Sequence, residues 1–303
     1  MTKVAIVTGG ASGIGRAIAA ELVRRGVRVV IADINADAAE LAAKQLNATA
    51  KQRDAGPEQR EVGVLQWALG NGGRPREPGR GGGAASAVGL DVTDAGAVLA
   101  AYRAVAAEHG RLDLVFNNAG IAVGGLAEEF TLEHWDRTID VNLRGVVHGI
   151  HAAYPIMLEQ GRGHIVNTAS LAGLVHAALM TPYTATKSAV IGLSLALRAE
   201  AAGRGVRVSV LCPGFVDTPL LGRINPGLPP TGVNDETRMA GGIQPPLYTA
   251  EKLAKDVMRG LAQNKAMIVA PGSARFAALL ARYTPAVAQS LNRWLAARYL
   301  RNS

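Results

Sequence analysis

The stretch Val4–Gly26, VAIVTGGASGIGRAIAAELVRRG, decides how the whole chain is read. Val4-Ala5-Ile6-Val7 is a short apolar run of the kind a strand buried on both faces shows. Further on, Ile18, Leu22 and Val23 recur at helical spacing, and Gly26 marks the helix stop. Between strand and helix lies Thr8-Gly9-Gly10-Ala11-Ser12-Gly13-Ile14-Gly15. Glycines let a backbone approach a phosphate closely, and a helix N-terminus favours an anion. Strand, glycine-rich turn and helix therefore predict a nucleotide cradle. The spacing Gly9-x-x-x-Gly13-x-Gly15 departs from the G-x-G-x-x-G of the common dinucleotide fingerprint.

The rhythm repeats outward from this unit. A second strand, Val27–Ala32, ends at Asp33, eighteen residues beyond Gly15. An acid there can accept hydrogen bonds from the ribose hydroxyls of NAD and repels the 2′-phosphate of NADP. Alternatively, Asp33 only caps the next helix, DINADAAELAAKQL. Later strands are expected at Ala87–Leu90, closed by Asp91-Val92, at Leu112–Phe116 before Asn117-Asn118-Ala119-Gly120, at His164–Asn167, and at Val206–Leu211. Helical patterns separate them, including one long segment from Leu132 to Leu158 that contains Asn142. Asparagine is unfavourable in mid-helix because its amide competes for backbone hydrogen bonds. His148 and His151 lack a matching carboxylate or cysteine cluster and read as structural, so no metal is expected. Alternating strands and helices predict an α/β fold with a doubly wound parallel sheet.

A second chemical signal lies between Ser170 and Lys187, SLAGLVHAALMTPYTATK. On a helix, Tyr183 and Lys187 are neighbours one turn apart. An ammonium beside a phenol favours the phenolate, which suits a general acid or base near neutral pH. Ser170 can hold a substrate oxygen. By itself, Tyr-x-x-x-Lys also describes an accidental pair on a helix surface.

Composition bounds the rest. Of 303 residues 49% are hydrophobic and only 4% aromatic, so aliphatic side chains must fill the core. The single cysteine, Cys212, excludes an intrachain disulfide and reads as a buried small residue. No signal-peptide pattern or membrane-spanning run is present, so a cytoplasmic protein is expected. The segment 47–86 breaks the rhythm: NGGRPREPGRGGG is low in complexity and predicts a disordered insertion. It joins a helix to the third strand, at the sheet edge opposite the ligand crevice. VGVLQWALG, just upstream, reads as a short strand or helical turn. The net charge of +8 is uneven, with seven Lys or Arg and no Asp or Glu from Val257 to Ser303. Within that tail Phe276, Leu279, Leu280 and Tyr283, and then Val287, Leu291, Trp294 and Leu295, follow helical spacing. Thr284-Pro285 suits a cap and a first-turn proline. Such a basic amphipathic extension suits an anionic membrane surface, or packing on the subunit or a partner. Nucleic acid is not expected as a partner, because the three arginines of NGGRPREPGRGGG are too few for an RNA-binding tract.

Taken together and in order, TGGASGIG, Asp33, Asp91-Val92, NNAG, Asn142, Ser170, YTATK (Tyr183–Lys187) and PGFVDT (Pro213–Thr218) make the chain resemble the short-chain dehydrogenase/reductase family, from about Lys3 to Pro271. The resemblance implies a single Rossmann domain with a seven-stranded parallel sheet, usually in homodimers or homotetramers. It also implies that Tyr183 exchanges the proton with the substrate oxygen. Lys187 would lower the tyrosine pKa and hold the nicotinamide ribose, Ser170 would orient the carbonyl or alcohol, and Asn142 would hold a relay water. Gly9, Ser12, Gly13, Ile14 and Gly15 would surround the pyrophosphate and adenosine ribose, and Asp91 and Val92 the adenine. Asn118, Ala119 and Gly120 would line the cofactor cleft, and Pro213, Gly214, Val216 and Thr218 the nicotinamide.

The expected domains are residues 1–272, with the insertion 47–86 and a substrate lid 219–248, and a basic extension 273–303. Substrate reading is expected from Leu171 to Met180, where His176 is the only ionisable group, and from the lid. Their apolar residues either only pack or predict a hydrophobic secondary alcohol or ketone, steroid-like or lipid-like, oxidised or reduced with NAD(H). Two rivals stand beside this. An NADPH-dependent 3-oxoacyl-type ketoreductase conflicts with Asp33. A catalytically silent, cofactor-sensing scaffold on a membrane conflicts with the complete set Asn142, Ser170, Tyr183 and Lys187.

Overall fold

The computed structural model describes residues 2–54, 83–233 and 247–302. Val62–Gly70, the NGGRPREPGRG stretch and residues 234–246 of the expected lid lie outside them. Seven parallel strands form one sheet: β1 (Val4–Thr8), β2 (Arg28–Asp33), β3 (Ala85–Gly89), β4 (Leu114–Asn117), β5 (Gly163–Thr168), β6 (Val206–Pro213) and β9 (Met267–Ala270). Their order is β3-β2-β1-β4-β5-β6-β9, and β7 (Val216–Asp217) pairs with β8 (Tyr248–Thr249) in a separate ribbon. The order reverses between β1 and β4, which opens a crevice at the carboxyl ends of those strands. The last sheet strand was legible in the apolar run Met267–Ala270 but does not figure among the strands read from the sequence.

Alternation along β1 and β2 explains the two cores. Ala5, Val7, Val29 and Ile31 face one layer, where they meet Ile18, Leu22, Leu253 and Val257. Val4, Ile6, Val30 and Ala32 face the other, against Val98, Tyr102 and Met157. Each fully buried aliphatic side chain contributes about 1.5–3 kcal/mol. The helices of the first layer are α1 (Gly13–Arg24), α2 (Ala36–Asp54) and α8 (Ala250–Ala262). The second layer holds α3 (Ala95–His109), α5 (Gly145–Glu159) and α7 (Thr181–Glu200).

Several boundaries differ from the sequence reading. Helix α2 continues to Asp54, past Asn47, where the insertion was expected to begin. Asn47 explains the continuity, because its side-chain amide donates to the Ala85 carbonyl and accepts from the Ala85 amide, both at 2.8 Å. The start of β3 is thereby tied to the helix. The segment expected as one helix from Leu132 to Leu158 is three pieces: α4 (Leu132–Ile139), a π-helical turn (Asp140–Arg144) and α5. The tail forms α9 (Gly272–Tyr283) and α10 (Pro285–Asn302), with Pro285 at the first position of the second helix.

Candidate active site

The glycines of the first turn have no room for a side chain. Gly9 has φ +60°, and a Cβ there would lie 2.9 Å from Ala119 Cα. At Gly15 a Cβ would meet the Gly9 carbonyl oxygen at 2.2 Å. Asn118 ties this turn to the end of β4: its Nδ2 donates to the Thr8 carbonyl at 3.1 Å, and its amide donates to Thr8 Oγ1 at 2.9 Å. One Asp33 oxygen accepts from the Ala11 amide and the other from the Asn35 amide, each at 3.1 Å. The α2 cap is Asn35, whose Oδ1 accepts from the Ala38 amide at 2.9 Å. That removes the capping explanation for Asp33, which stands half-buried at the crevice. Asp91 is held on the same side by the amide and hydroxyl of Thr93, and the amide bond in particular keeps its carboxyl below the ordinary range.

The first turn of α7 carries Tyr183, and Lys187 follows one turn later. They are 8% and 3% exposed. Lys187 Nζ donates to the Thr168 carbonyl at 2.9 Å and lies 5.6 Å from the centroid of the Tyr183 ring. Burial pushes the Lys187 ammonium down to about 8, only partly opposed by Cys212. Cys212 is itself fully buried, and burial pushes its thiol up to about 12, in keeping with a packing role. Ser170 follows β5 and accepts from the Ala172 amide at 3.2 Å. Asn142 sits in the π-helical turn, where its side chain both accepts from the Ile121 amide at 2.9 Å and donates to the Ile121 carbonyl at 3.0 Å. A Cβ at Gly120 would touch Asn142 Oδ1 at 3.0 Å and Lys187 Nζ at 3.4 Å, which places both groups behind that glycine. Insertions of this kind in helices are frequent at functional sites.

A cavity of about 820 Å³ joins the two regions. Gly9, Ser12, Gly13, Ile14, Asp33, Asp91, Val92, Asn118, Ala119 and Gly120 line one part; Ser170, Leu171, Tyr183, Lys187, Pro213, Gly214, Val216 and Thr218 line the other. Gly15 and Asn142 stand behind the wall. His176 corrects an expectation: it is exposed, adopts a left-handed conformation (φ 57°) as the cap of α6 (Ala172–Val175), and does not line the cavity. The described part of the segment expected as a lid is tied down, because Asn225 bonds both polar groups of the Gly124 backbone and Thr231. His148 Nδ1 donates to the Val92 carbonyl, 2.9 Å away, which accounts for its place structurally. Sequence reading missed Leu291, Asn292, Trp294 and Leu295, which close the cavity from α10. Their helical spacing was visible, but nothing local to the tail says which face meets the site.

The family model described as short chain dehydrogenase matches residues 3–61 and 75–228. A D-threitol dehydrogenase from Mycolicibacterium smegmatis is 40% identical over 218 residues, 72% of this chain and 72% of that protein. A cyclohexanol dehydrogenase from an Acinetobacter species is 36% identical over 221 residues, covering 72% of this chain and 75% of the relative. A crystal structure of a short-chain dehydrogenase/reductase from Burkholderia phymatum in complex with NAD superposes with a TM-score of 0.76 at 28% identity, covering 94% of this chain and 95% of that one. The chain belongs to the short-chain dehydrogenase/reductase family. It is an oxidoreductase acting on CH–OH groups.

Proposed function

We propose that this chain moves a hydride between NAD(H) and a hydrophobic secondary alcohol or ketone, with Tyr183 exchanging the proton. The observation that carries the reading is the single crevice lined by both the glycine cradle and the Tyr183–Lys187 pair. The residues present fit a dinucleotide: backbone approaches at Gly9 and Gly15 leave no space for side chains, α1 opens at Ser12 toward the cavity, and Asp33 waits at the end of β2. NAD supplies the hydride acceptor, and NADH the donor. Gly9, Ser12, Gly13, Ile14 and Gly15 hold the pyrophosphate and adenosine ribose; Asp33 accepts from the ribose hydroxyls and disfavours NADP. Asp91 and Val92 flank the adenine. Pro213, Gly214, Val216 and Thr218 border the nicotinamide.

At the reacting end, Tyr183 and Ser170 direct hydroxyls at the substrate oxygen. In reduction that oxygen gains negative charge, and two aimed donors stabilise it. Tyr183 then gives its proton; in oxidation it removes one. Lys187 holds the ribose and favours the phenolate, and Asn142 orders the water that resupplies the proton. Assaying a panel of apolar and polar alcohols by NADH absorbance, with NADP as the comparison, tests the reading. Turnover of apolar secondary alcohols with NAD is expected; equal use of NADP, or of small polyols, contradicts it.

A second reading concerns the outer face of the tail. Phe276, Leu279, Tyr283, Val287 and Leu300 are exposed there, and Arg275, Arg282, Arg293 and Arg301 supply positive charge with no acid nearby in sequence. Apolar and cationic groups on one helical pair support contact with an anionic membrane surface. Flotation with anionic liposomes, compared with a chain ending at Ser273, tests it. The rival, burial on a partner subunit, predicts no flotation and an oligomer that the truncated chain loses.

A further inference from the structure

The cavity's substrate half has a wall that the family match does not reach. The matched residues end at 228, whereas α10 begins at Pro285. Leu291, Asn292, Trp294 and Leu295 bring one face of that helix to the cavity. We propose that α10 is the substrate-selecting wall of this enzyme, seating the bulky apolar body of the alcohol or ketone, and that Asn292 positions it. This rests on the reading that Ser170 and Tyr183 receive the reacting oxygen.

Two anchors hold the helix over the site. Asn292 Nδ2 donates to the Val175 carbonyl at 2.9 Å and to the His176 carbonyl at 3.0 Å. Carbonyls at the end of a helix lack partners within it, so the amide satisfies groups that α6 leaves open. Seven residues on, about 10 Å along the axis, Tyr299 is 5% exposed and packs with Leu179 and Val233. The helix thus grips both segments that border the substrate half, the 170–180 loop and the described part of the lid. On either side of the first anchor, Leu291 and Trp294 line the cavity yet remain 49% and 44% exposed. Apolar surface left open inside a cavity is what an apolar ligand covers.

The chemistry of this half opposes a small polyol. Beyond the reacting groups, its one charged lining residue among the described residues is Arg223, since Arg137 lies by Asp91 in the other half, and the Asn292 amide is already engaged. A polyol would leave several hydroxyls without partners, at a cost of about 1–3 kcal/mol each. An apolar ring or chain has no such cost. The selection made at this wall does not follow from the substrates that name its relatives.

The test compares kcat/KM for a bicyclic secondary alcohol with kcat/KM for threitol, in the full chain and in Trp294→Ala, Leu295→Ala and Asn292→Ala. The ratio is expected to fall at least ten-fold in Trp294→Ala and Leu295→Ala, mostly through KM for the apolar alcohol, while KM for NAD stays within about two-fold. Asn292→Ala should lower the same ratio, and Asn292→Gln, which keeps the donor, should recover part of it. An unchanged ratio in both Trp294→Ala and Leu295→Ala overturns the proposal. So does an equal loss for both substrates with a raised KM for NAD, which assigns the helix to fold stability alone. Should the full chain turn over no alcohol, the hydride-transfer reading fails. The wall is then judged by equilibrium dialysis of a bicyclic ketone with NADH present: binding that Leu295→Ala weakens ten-fold upholds it, and binding that is absent or unaltered overturns it.

Discussion

Lys187 shows how function and stability pull apart at one residue. Its ammonium is buried, and burial lowers its pKa to about 8, so the folded chain binds fewer protons than the unfolded chain between about pH 8 and pH 10.4. Stability therefore rises with pH across that window, and the contribution is absent below it. Lys187→Met should lose this rise, about 2 kcal/mol between pH 7.5 and pH 10 by chemical denaturation, and should lose turnover about 10²- to 10⁴-fold. Lys3, also lowered to about 8 by burial, contributes to both proteins and cancels in the difference. Asn142 makes a different bargain: its amide saturates both polar groups of Ile121. Asn142→Ala leaves those groups unpaired and should cost about 1–3 kcal/mol per group, read as a lower Tm as well as slower turnover. At Asp33, alanine should narrow the preference for NAD over NADP at least ten-fold, measured as the ratio of kcat/KM; an unchanged ratio would remove the residue from the ribose site.

Among the elements, the strand–turn–helix unit at the start of the chain was legible because its three signals are local: an apolar run, glycines that no side chain can replace, and a helical period. Gly15→Ala should abolish NADH binding measured by fluorescence, since the new Cβ would lie 2.2 Å from the Gly9 carbonyl oxygen. The Tyr183–Lys187 pair was legible for the same reason, being one helical turn. What stayed hidden was set by distant partners. The π-helical turn at Asp140–Arg144 follows from Asn142 reaching Ile121, and from Gly145 packing so close to Val92 that a Cβ would lie 2.8 Å away. His176 turned outward because it caps a four-residue helix in a left-handed conformation, which an apolar pattern does not announce. The role of α10 in the cavity depends on a hydrogen bond between residues 117 positions apart.

Over the whole molecule, the sheet brings the two legible motifs to one edge. The order reversal between β1 and β4 opens the crevice, and α7 carries the tyrosine in from the far side of β5. The insertion enters elsewhere. Its described ends lie at the C-terminus of α2 and the start of β3, where a Cβ at Gly83 would collide with the Val23 and Val27 carbonyls, at the amino edge of the sheet. Replacing residues 55–82 with a short Gly-Ser linker should therefore leave kcat/KM within about three-fold, by absorbance assay of the purified variant. Among the described residues no helix is long and apolar enough to cross a membrane. The central claim is that one crevice couples a dinucleotide cradle to a proton-exchanging tyrosine. It is tested most directly by NADH formation from an apolar secondary alcohol in the wild-type chain and in Tyr183→Phe, with NADH affinity measured in parallel. The expected result is turnover reduced about 10²- to 10⁴-fold with NADH binding intact; wild-type turnover by Tyr183→Phe would contradict it.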